Sequence, residues 1–243
     1  MKICVAQTKP FRGDIDQNIR AHLRRTERAV ACGADVVIFP ELSLTSYEPS
    51  LARQLALRLD DARLNVFQSL ADKNDVSLCL GLPTPLGAGV AISMAIIQPR
   101  APRRLYSKQY LHSDEKPYFV AGGEACVVRV RHCLVAPAIC YESLLPEHAA
   151  QASGNGAEIY IASVAKSAAG VEKAFAHYPA IAQRHSMIVA MSNCVGYCDN
   201  FDSVGRSAVW NAQGTLLATL GATSEGILAV DIGSDSDMEI AYA

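Results

Sequence analysis

The sequence is poor in charged residues, in tryptophan and in long apolar runs, and each shortage excludes a class of protein. Only 19% of its 243 residues are charged, against roughly 25% in an average soluble domain, and one tryptophan is present. Basic and acidic residues nearly balance, 22 against 24, so no excess of positive charge favours binding to nucleic acid or to an anionic membrane. No apolar run approaches the ~18 residues that a membrane-spanning helix needs. The composition therefore predicts a compact globular protein with neither a nucleic-acid nor a membrane partner.

Common motifs of nucleotide, metal and serine-hydrolase chemistry are also absent. The chain has no GxxxxGK[ST], no HExxH and no GxSxG. Residues 87–92 (GAGVAI) begin like a dinucleotide-binding loop, but Ile92 replaces the third glycine, so a turn is predicted there. Cys194 and Cys198 form one loose pair of metal-binding residue types and His132-Cys133 another, and two such pairs do not supply the four spaced ligands of a zinc site. We therefore predict neither a metal nor a cofactor.

Cysteine, by contrast, is abundant: eight residues lie at positions 4, 32, 79, 126, 133, 140, 194 and 198. The N-terminal MKICVAQTKP has too short an apolar stretch for a secretory signal peptide. Scattered cysteines in a chain of this length are typical of a reducing compartment, so we predict a cytoplasmic protein with free thiols. Most buried cysteines pack as small hydrophobic residues. Cys194 and Cys198 are left with an open role, including metal or redox sensing.

Short apolar runs alternate with amphipathic segments along the whole chain, which predicts an α/β (α+β) sandwich with buried sheets. No linker rich in proline, glycine or serine divides it, so residues 1–243 are predicted to form one domain. Helices are predicted at residues 14–31, 51–73, 146–153 and 172–184, the last bent or started by Pro179. The polar tail 234–239 is predicted to be a solvated end. Strands are predicted at residues 3–7, 35–39, 76–82, 90–105 in two runs, 126–131, 134–139, 158–162, 187–193, 207–211, 216–220 and 226–230, with a hairpin turn at Gly214.

Three residues with reactive or charged side chains stand directly after apolar strands. Glu41 follows VVIFP, where burial would raise its pKa towards that of a general base near neutral pH; the alternative is a loop acid that meets solvent. Cys140 ends LVAPAI shortly before a helix, where an elbow would expose the thiol to backbone N–H groups; the alternative is a structural cysteine. Lys108 follows RRLYS and would stabilise an oxyanion, unless it is a surface lysine whose stem lies along apolar residues.

The order and spacing of these three blocks resemble those of the nitrilase, or carbon–nitrogen hydrolase, superfamily. FPELSLTSY resembles its general-base segment, KQYLHSDEKPYFVAG its lysine block with a second glutamate at Glu115, and ICYESLLPE its nucleophile block. The opening MKICVAQTKP and the later NCVG are similar as well, so the resemblance covers nearly the whole chain. One departure is Ser46, which stands where the family usually has glycine before the tyrosine.

The resemblance implies a four-layer α-β-β-α sandwich and an amidase-like thiol hydrolase. Glu41, Lys108 and Cys140 would be catalytic, Glu115 would orient Lys108, and the backbone N–H of Tyr141 would share the oxyanion with Lys108. The substrate would be a small linear carboxamide, cleaved to acid and ammonia through a cysteine thioester. An N-carbamoyl amine is the alternative substrate, and a catalytically silent binding protein is the alternative from another class. The resemblance also implies a homodimer or a larger homo-oligomer.

Substrate contacts are predicted around the same blocks. The candidates are Tyr47, Tyr118, Glu142, Ser163 and Lys166. Either Lys166 or Lys173 would pair with a carboxylate on the substrate, and the alternative for both is a solvated loop lysine.

Overall fold

The computed structural model describes residues 1–233 and 240–242, within which β-strands alternate with helices. The helices are α1 (Ile15–Ala31), α2 (Ala52–Leu55), α3 (Asn65–Asn74), α4 (Pro146–Gly154) and α5 (Ala168–His185). The strands are β1 (Lys2–Gln7), β2 (Val36–Ile38), β3 (Ser77–Leu86), β4 (Gly89–Ile97), β5 (Arg104–Ser107), β6 (Val128–Val130), β7 (Cys133–Ile139), β8 (Ile159–Val164), β9 (Ile188–Asn193), β10 (Val195–Cys198), β11 (Phe201–Val204), β12 (Ala208–Trp210), β13 (Leu216–Thr219), β14 (Gly226–Asp231) and β15 (Ile240–Tyr242).

The strands form two large sheets and a small hairpin. The first sheet has the order β15-β14-β1-β2-β3-β4-β5, the second has the order β13-β12-β9-β8-β7-β6, and β10 pairs with β11. Each large sheet has a parallel centre, β1-β2-β3 in the first and β7-β8-β9 in the second, with antiparallel strands outside it. The carboxyl ends of parallel strands lie at one edge of a sheet, so residues that follow these strands are brought together.

The two sheets pack face to face between helices because their strands are apolar on both faces. In β1, Ile3 and Val5 belong to a core shared with the second sheet, whereas Cys4 and Ala6 belong to a core with α1 and α3. The other face of the second sheet packs on α4 and α5, through residues such as Tyr178. This alternation is the period of two expected for strands, and it produces the predicted α-β-β-α sandwich.

Most predicted elements are present, with two clear differences. The predicted helix 51–73 is wrong in its middle, since α2 ends at Leu55 and α3 begins at Asn65. Irregular residues and a short 3₁₀ turn, Ala62–Leu64, separate the two helices, and another 3₁₀ turn, Pro49–Leu51, precedes α2. Leu57 and Leu64 are buried against the first sheet, and Leu57 N donates to Pro83 O at 2.9 Å, so tertiary contacts replace helical bonds there. The helix predicted at 172–184 begins earlier, at Ala168, and contains Pro179 in its interior.

The predicted turns are confirmed where the structure describes them. Residues 87–92 include the turn between β3 and β4, which pair through Leu86 and Gly89, and the hairpin at Gly214 joins β12 to β13. The predicted acidic tail, residues 234–239, lies outside the described residues.

Candidate active site

Four chain segments that leave strands meet at one edge of the facing sheets. Glu41 follows β2 in the first sheet, and Lys108 follows β5 at that sheet's border. Cys140 directly follows β7, and Lys166 follows β8, both in the second sheet. Because the two sheets face each other, Glu41 and Lys108 on the first sheet lie opposite Cys140 on the second.

A buried ion cluster is centred on the Lys108 ammonium. Its Nζ donates to Glu41 Oε1 at 2.9 Å and to Glu115 Oε1 at 2.6 Å, and all three side chains are almost completely buried. Glu115 is held further by Tyr47, whose hydroxyl donates to Oε1 at 3.1 Å, and by the backbone N–H of His112, which donates to Oε2 at 2.8 Å. A buried charge needs such partners, because desolvation without them costs several kcal/mol. With both carboxylates ionised, the cluster of two carboxylates and one ammonium has a net negative charge.

Burial inside this cluster places Glu41 between its two protonation states at neutral pH. Burial raises the pKa of Glu41 to about 7, the charge of Lys108 opposes the rise, and the charge of Glu115 adds to it. Burial alone lowers the pKa of Lys108, but the charges of Glu41, Cys140 and Glu115 outweigh burial and raise it above its ordinary value. Glu41 Oε2 is buried and, among the described residues, has no hydrogen-bond partner. Glu41 can therefore accept and return a proton, while Lys108 stays charged.

Cys140 lies on a strained elbow between β7 and a short 3₁₀ turn, Cys140–Leu144. Its φ of 49° is in the left-handed region, which few residues other than glycine adopt. Burial raises the pKa of its thiol to about 11, the charge of Glu41 adds to this, and the charges of Lys166 and Lys108 oppose it. The thiol donates to Ala165 O at 3.7 Å. The resting thiol is thus protonated at neutral pH and requires a base to become a nucleophile.

Glu142 connects the elbow to the lysine segment. Its Oε1 accepts from Ile139 N at 2.8 Å and from the Tyr106 hydroxyl at 2.7 Å, and its Oε2 accepts from the backbone N–H groups of Gln109 at 2.7 Å and Tyr110 at 3.2 Å. The side chain is fully buried and does not line the cavity beside Cys140, so the contact of Glu142 with substrate stays a prediction. Its carboxylate oxygens are already satisfied by groups on both sides of the site, which makes it a positioning residue.

A cavity of about 370 Å³ opens beside Cys140. Its lining combines aromatic, apolar and charged side chains: Tyr47, His112, Asp114, Glu115, Cys140, Tyr141, Leu144, Ala165, Lys166, Ser167, Gly170, Lys173 and Phe201. Of the predicted residues, those that line one space with the nucleophile are Tyr47, Glu115, Tyr141, Lys166 and Lys173. The volume suits a small molecule.

Two further predicted substrate contacts lie outside this lining. Tyr118 is half-exposed on the protein surface. Ser163 is buried in β8, where its hydroxyl donates to Phe39 O at 2.7 Å. That bond ties the second sheet to the segment just before Glu41, so Ser163 fixes the distance between the sheets instead of facing the cavity.

The sequence alone assigned no substrate contact to Phe201 or Leu144, which both line the cavity. Phe201 reaches the site on the β10–β11 hairpin, and its ring lies edge-on to Tyr47 with centroids 5.8 Å apart. No local pattern marks such a residue, because its position depends on contacts between distant segments. Ser46, before Tyr47, has a φ of 66°, which is the backbone conformation that the glycine usual at this position adopts readily.

Cys194 and Cys198 lie behind the site as a buried pair with their sulfur atoms 3.6 Å apart. The eight cysteines are all free. Among residues 1–233 and 240–242, no group of three or more metal-ligating side chains is placed to hold an ion. The pair stays without an assigned role.

Comparison with known proteins identifies the family. The family model described as carbon-nitrogen hydrolase matches residues 2–240. The chain belongs to the carbon–nitrogen hydrolase family. An amidase from Nesterenkonia sp. AN1 has a similar structure, with a TM-score of 0.89 and 25% identity, over 98% of this chain and 94% of that one. A variant of that amidase, 24% identical to this chain, was solved in complex with butyramide. The fold is thus that of nitrilase-superfamily amidases.

Curated relatives carry two kinds of name. The glutamine-dependent NAD(+) synthetase of Thermotoga maritima is 26% identical over 251 residues, which cover 99% of this chain but 43% of the synthetase. The formamidase of Allorhizobium ampelinum is 24% identical over 202 residues, which cover 81% of this chain and 60% of the formamidase. The chain therefore spans less than two thirds of either relative. In the part of the chain that the structure describes, no helix is both long and apolar enough to cross a membrane.

Proposed function

We propose that the protein is a thiol hydrolase that cleaves the C–N bond of a small carboxamide, giving a carboxylic acid and ammonia. The observation that carries this proposal is the buried cluster of Glu41, Lys108 and Glu115 next to a cysteine on a strained elbow that lines a cavity. The amidase neighbour and the formamidase relatives support the same reaction class.

In the first half of the reaction, Cys140 becomes acylated. Glu41 takes the thiol proton on its unpartnered Oε2, and the thiolate attacks the amide carbonyl carbon. The tetrahedral intermediate collapses when Glu41 returns that proton to the departing nitrogen. The C–N bond breaks, ammonia leaves, and the acyl group remains on sulfur as a thioester.

In the second half, water replaces ammonia. Glu41 accepts a proton from the water, which attacks the thioester carbon, and the proton then goes to the sulfur as the carboxylic acid departs. A pKa of about 7 for Glu41 suits both directions of transfer at neutral pH. The cycle restores the thiol and consumes one amide and one water.

The oxyanion of both tetrahedral intermediates needs two donors. The Lys108 ammonium is charged and held by two carboxylates, so it donates without reorganising. The backbone N–H of Tyr141 is at the second position of the 3₁₀ turn that begins at Cys140, where a helix leaves its first N–H groups without intrahelical partners. Glu115 acts through Lys108 by fixing its position.

A catalytically silent binding role explains the site less well. Burying three charged groups together costs free energy that replacement by apolar residues would avoid. The left-handed backbone at Cys140 is a further cost at the same place. Such costs persist where they serve chemistry, so we favour the enzyme over the binding protein.

We also propose that the protein is cytoplasmic. Eight free cysteines, four of them buried in the core between the two sheets, are compatible with the reducing cytoplasm. We further propose a homo-oligomer, on the basis of the family resemblance, whose size analytical ultracentrifugation would measure.

Ammonia release from a substrate panel tests the reaction. The panel contains formamide, butyramide, glutamine and an N-carbamoyl amine, and we expect at least one amide to be turned over. Cys140→Ala should reduce the rate to background, and Lys108→Met should lower kcat by about 10²–10³-fold, as loss of an oxyanion donor does.

Cys32→Ala is the matched control, since Cys32 is partly exposed at the end of α1 and outside the cavity. It should keep the wild-type rate. Ammonia release by Cys140→Ala at the rate of Cys32→Ala would contradict the proposal, as would the absence of turnover with every amide. Turnover of only the N-carbamoyl amine would move the assignment to that alternative.

A further inference from the structure

A buried hydrogen-bond network, formed by the side chains of Tyr160, His148, Tyr106 and Glu142, runs from the outer face of the second sheet towards the site. The Tyr160 hydroxyl, on β8, lies 2.7 Å from Nδ1 of His148, on α4. His148 Nε2 lies 2.8 Å from the hydroxyl of Tyr106, on β5, and this hydroxyl donates to Glu142 Oε1 at 2.7 Å. All four side chains are buried, and none of them lines the cavity beside Cys140. The network can therefore affect a reaction at Cys140 only by positioning other groups.

The direction of each hydrogen bond in the network follows from the hydrogens that are present. Both carboxylate oxygens of Glu142 accept backbone N–H groups, and the single hydrogen of the Tyr106 hydroxyl points to Oε1. The Tyr106 oxygen then accepts from His148 Nε2, so Nε2 carries the ring hydrogen. Burial lowers the pKa of His148 to about 4, so the ring is neutral at pH 7, and its bare Nδ1 accepts from Tyr160. The contacts thus fix one tautomer of a neutral histidine.

Glu142, where the network ends, contacts the chain on both sides of Lys108. Tyr106 lies two residues before Lys108, and Glu142 Oε2 accepts from the first two backbone N–H groups after it, at 2.7 and 3.2 Å. The bond from Ile139 N to Oε1 is local to the turn that carries the nucleophile. Burial raises the pKa of Glu142, and the hydrogen bond from Tyr106 is the largest effect that opposes the rise. Glu142 therefore joins the lysine segment to the nucleophile's turn, and Tyr106 helps to keep its carboxylate ionised.

We propose that His148 is a positioning residue, which acts through Tyr106 and Glu142 to hold Lys108 at the distance from Cys140 that oxyanion stabilisation requires. This inference rests on the proposed amide hydrolysis and adds a residue to its machinery. His148 Nε2 is 3.8 Å from Glu142 Oε1, beyond hydrogen-bond distance, so its effect passes through the Tyr106 hydroxyl. Without the donor at Nε2, that hydroxyl would no longer be directed to the carboxylate, and the lysine segment would be held less firmly.

Two variants of similar side-chain length test the role of His148. Glutamine can still donate an N–H group to Tyr106, whereas methionine cannot. His148→Met should lower kcat for the best amide by about 10- to 100-fold, as a small misplacement of a catalytic group does. KM should stay near the wild-type value, because the network does not line the cavity. His148→Gln should keep most of the wild-type kcat.

Alkylation of Cys140 distinguishes a displaced Lys108 from a general loss of structure. The thiolate displaces iodide from iodoacetamide without forming an oxyanion, so this reaction needs the nucleophile but no oxyanion donor. In His148→Met the alkylation rate of the Cys140 peptide, followed by mass spectrometry, should stay near the wild-type value while kcat falls. Phe67→Leu is the control for lost stability alone, because Phe67 is buried on α3 against the other face of the first sheet. It should lower the free energy of unfolding and leave kcat near the wild-type value.

A double-mutant cycle shows whether His148 acts through Tyr106. Tyr106→Phe should lower kcat like His148→Met, and the double variant should lower it by less than about twofold more, because the two changes break one connection. If His148→Met does not fold, as judged by circular dichroism, Tyr106→Phe and Tyr160→Phe decide, since each removes a single hydroxyl. Both should lower kcat at an unchanged alkylation rate, and Tyr160→Phe should have the smaller effect because Nε2 can keep its hydrogen.

The outcomes separate this inference from the proposed function. Equal kcat values for His148→Met and His148→Gln, with amides hydrolysed by the wild type, overturn the inference alone. A parallel fall of alkylation rate and kcat also overturns it, because His148 would then support the fold or the thiol instead of Lys108. Additive losses in the cycle would exclude Tyr106 as the connection and overturn it as well. No ammonia from any amide with the wild type overturns the proposed function and the inference with it.

Discussion

The pKa of one carboxyl group, that of Glu41, controls the reaction we propose. Burial raises it to about 7, and the charge of Lys108 prevents a larger rise. A general base works only when deprotonated, so kcat/KM should fall about tenfold per pH unit below pH 7. Initial rates with the best amide between pH 5 and 9 measure this fall of kcat/KM at low pH, the acid limb of the pH profile. A limb near pH 4.5, the ordinary value for glutamate, would contradict the assignment of Glu41 as the base.

The variant Glu115→Gln should change the pKa of Glu41 in a direction that can be predicted. The negative charge of Glu115 raises the pKa of Glu41, so its removal should shift the acid limb to lower pH. The amide of glutamine can still accept from the Lys108 ammonium through its oxygen, which preserves part of the geometry. A merely structural effect would lower kcat at every pH without moving the limb, and a limb that moves to higher pH would refute the electrostatic account.

At the scale of elements, the loop after β5 carries two members of the cluster and closes at a glycine. Gly122 N donates to Lys108 O at 2.7 Å. A Cβ on Gly122 would lie 2.3 Å from Ser107 O, which is backbone and cannot move aside alone. Gly122→Ala should therefore displace the segment that holds Lys108, lowering both the free energy of unfolding and kcat.

Its neighbour is a matched control, because a Cβ on Gly123 would meet nothing within 4 Å. Gly123→Ala should leave activity near the wild-type level and change stability by about 1 kcal/mol or less. Urea unfolding and ammonia release would be measured for both variants. Equal behaviour of the two would show that the close approach at Gly122 is not what positions Lys108.

The same elements show how far the sequence predicts the structure. Strands such as β2 and β7 were predictable because an apolar run with a proline or a reactive residue at its end has few other interpretations. The residues after those strands, Glu41 and Cys140, were predictable for the same reason and through the family resemblance. Glu41 contacts Lys108 directly, and both are close enough to Cys140 for their charges to affect the pKa of its thiol, while the catalytic roles stay proposals.

What local sequence could not predict depends on contacts between distant segments. Residues 51–73 have helical character, yet Leu57 is drawn out of the helix by burial against the first sheet. Glu142 is a predicted substrate contact in the nucleophile block, but its hydrogen-bond partners Gln109 and Tyr110 come from more than 30 residues away. Phe201 enters the cavity for a similar reason, through a hairpin.

At the scale of the whole molecule, each outer layer of the sandwich contains a buried neutral histidine. His22 on α1 stacks on Phe39 with ring centroids 4.2 Å apart, and its ring nitrogens contact Asn18 O at 2.7 Å and Ser43 Oγ at 2.9 Å. Burial lowers its pKa to about 3. His148 on α4 is likewise shifted, to a pKa of about 4, chiefly by burial. Both layers are therefore sensitive to acid.

The sign of this sensitivity follows from proton uptake. Below about pH 6.5 the unfolded chain protonates its histidines, while folded His22 stays neutral until about pH 3, so its contribution to stability is present above pH 6.5 and is lost as the pH falls. Glu41 acts in the opposite direction between its unfolded pKa of 4.5 and about 7, because the folded protein binds the extra proton there. The difference in unfolding free energy between the wild type and a variant that lacks His22 isolates the contribution of this histidine.

His22→Gln provides that difference. Above pH 7 the variant should be less stable than the wild type, since it loses the ring stacked on Phe39. Between pH 6 and pH 4 the gap in unfolding free energy should narrow by about 1.4 kcal/mol per pH unit, the value for one proton. Urea denaturation of both proteins at pH 8, 6, 5 and 4 measures it. A gap that stays constant with pH would mean that folded His22 takes up its proton as readily as the unfolded chain does, and the buried neutral ring would have to be abandoned.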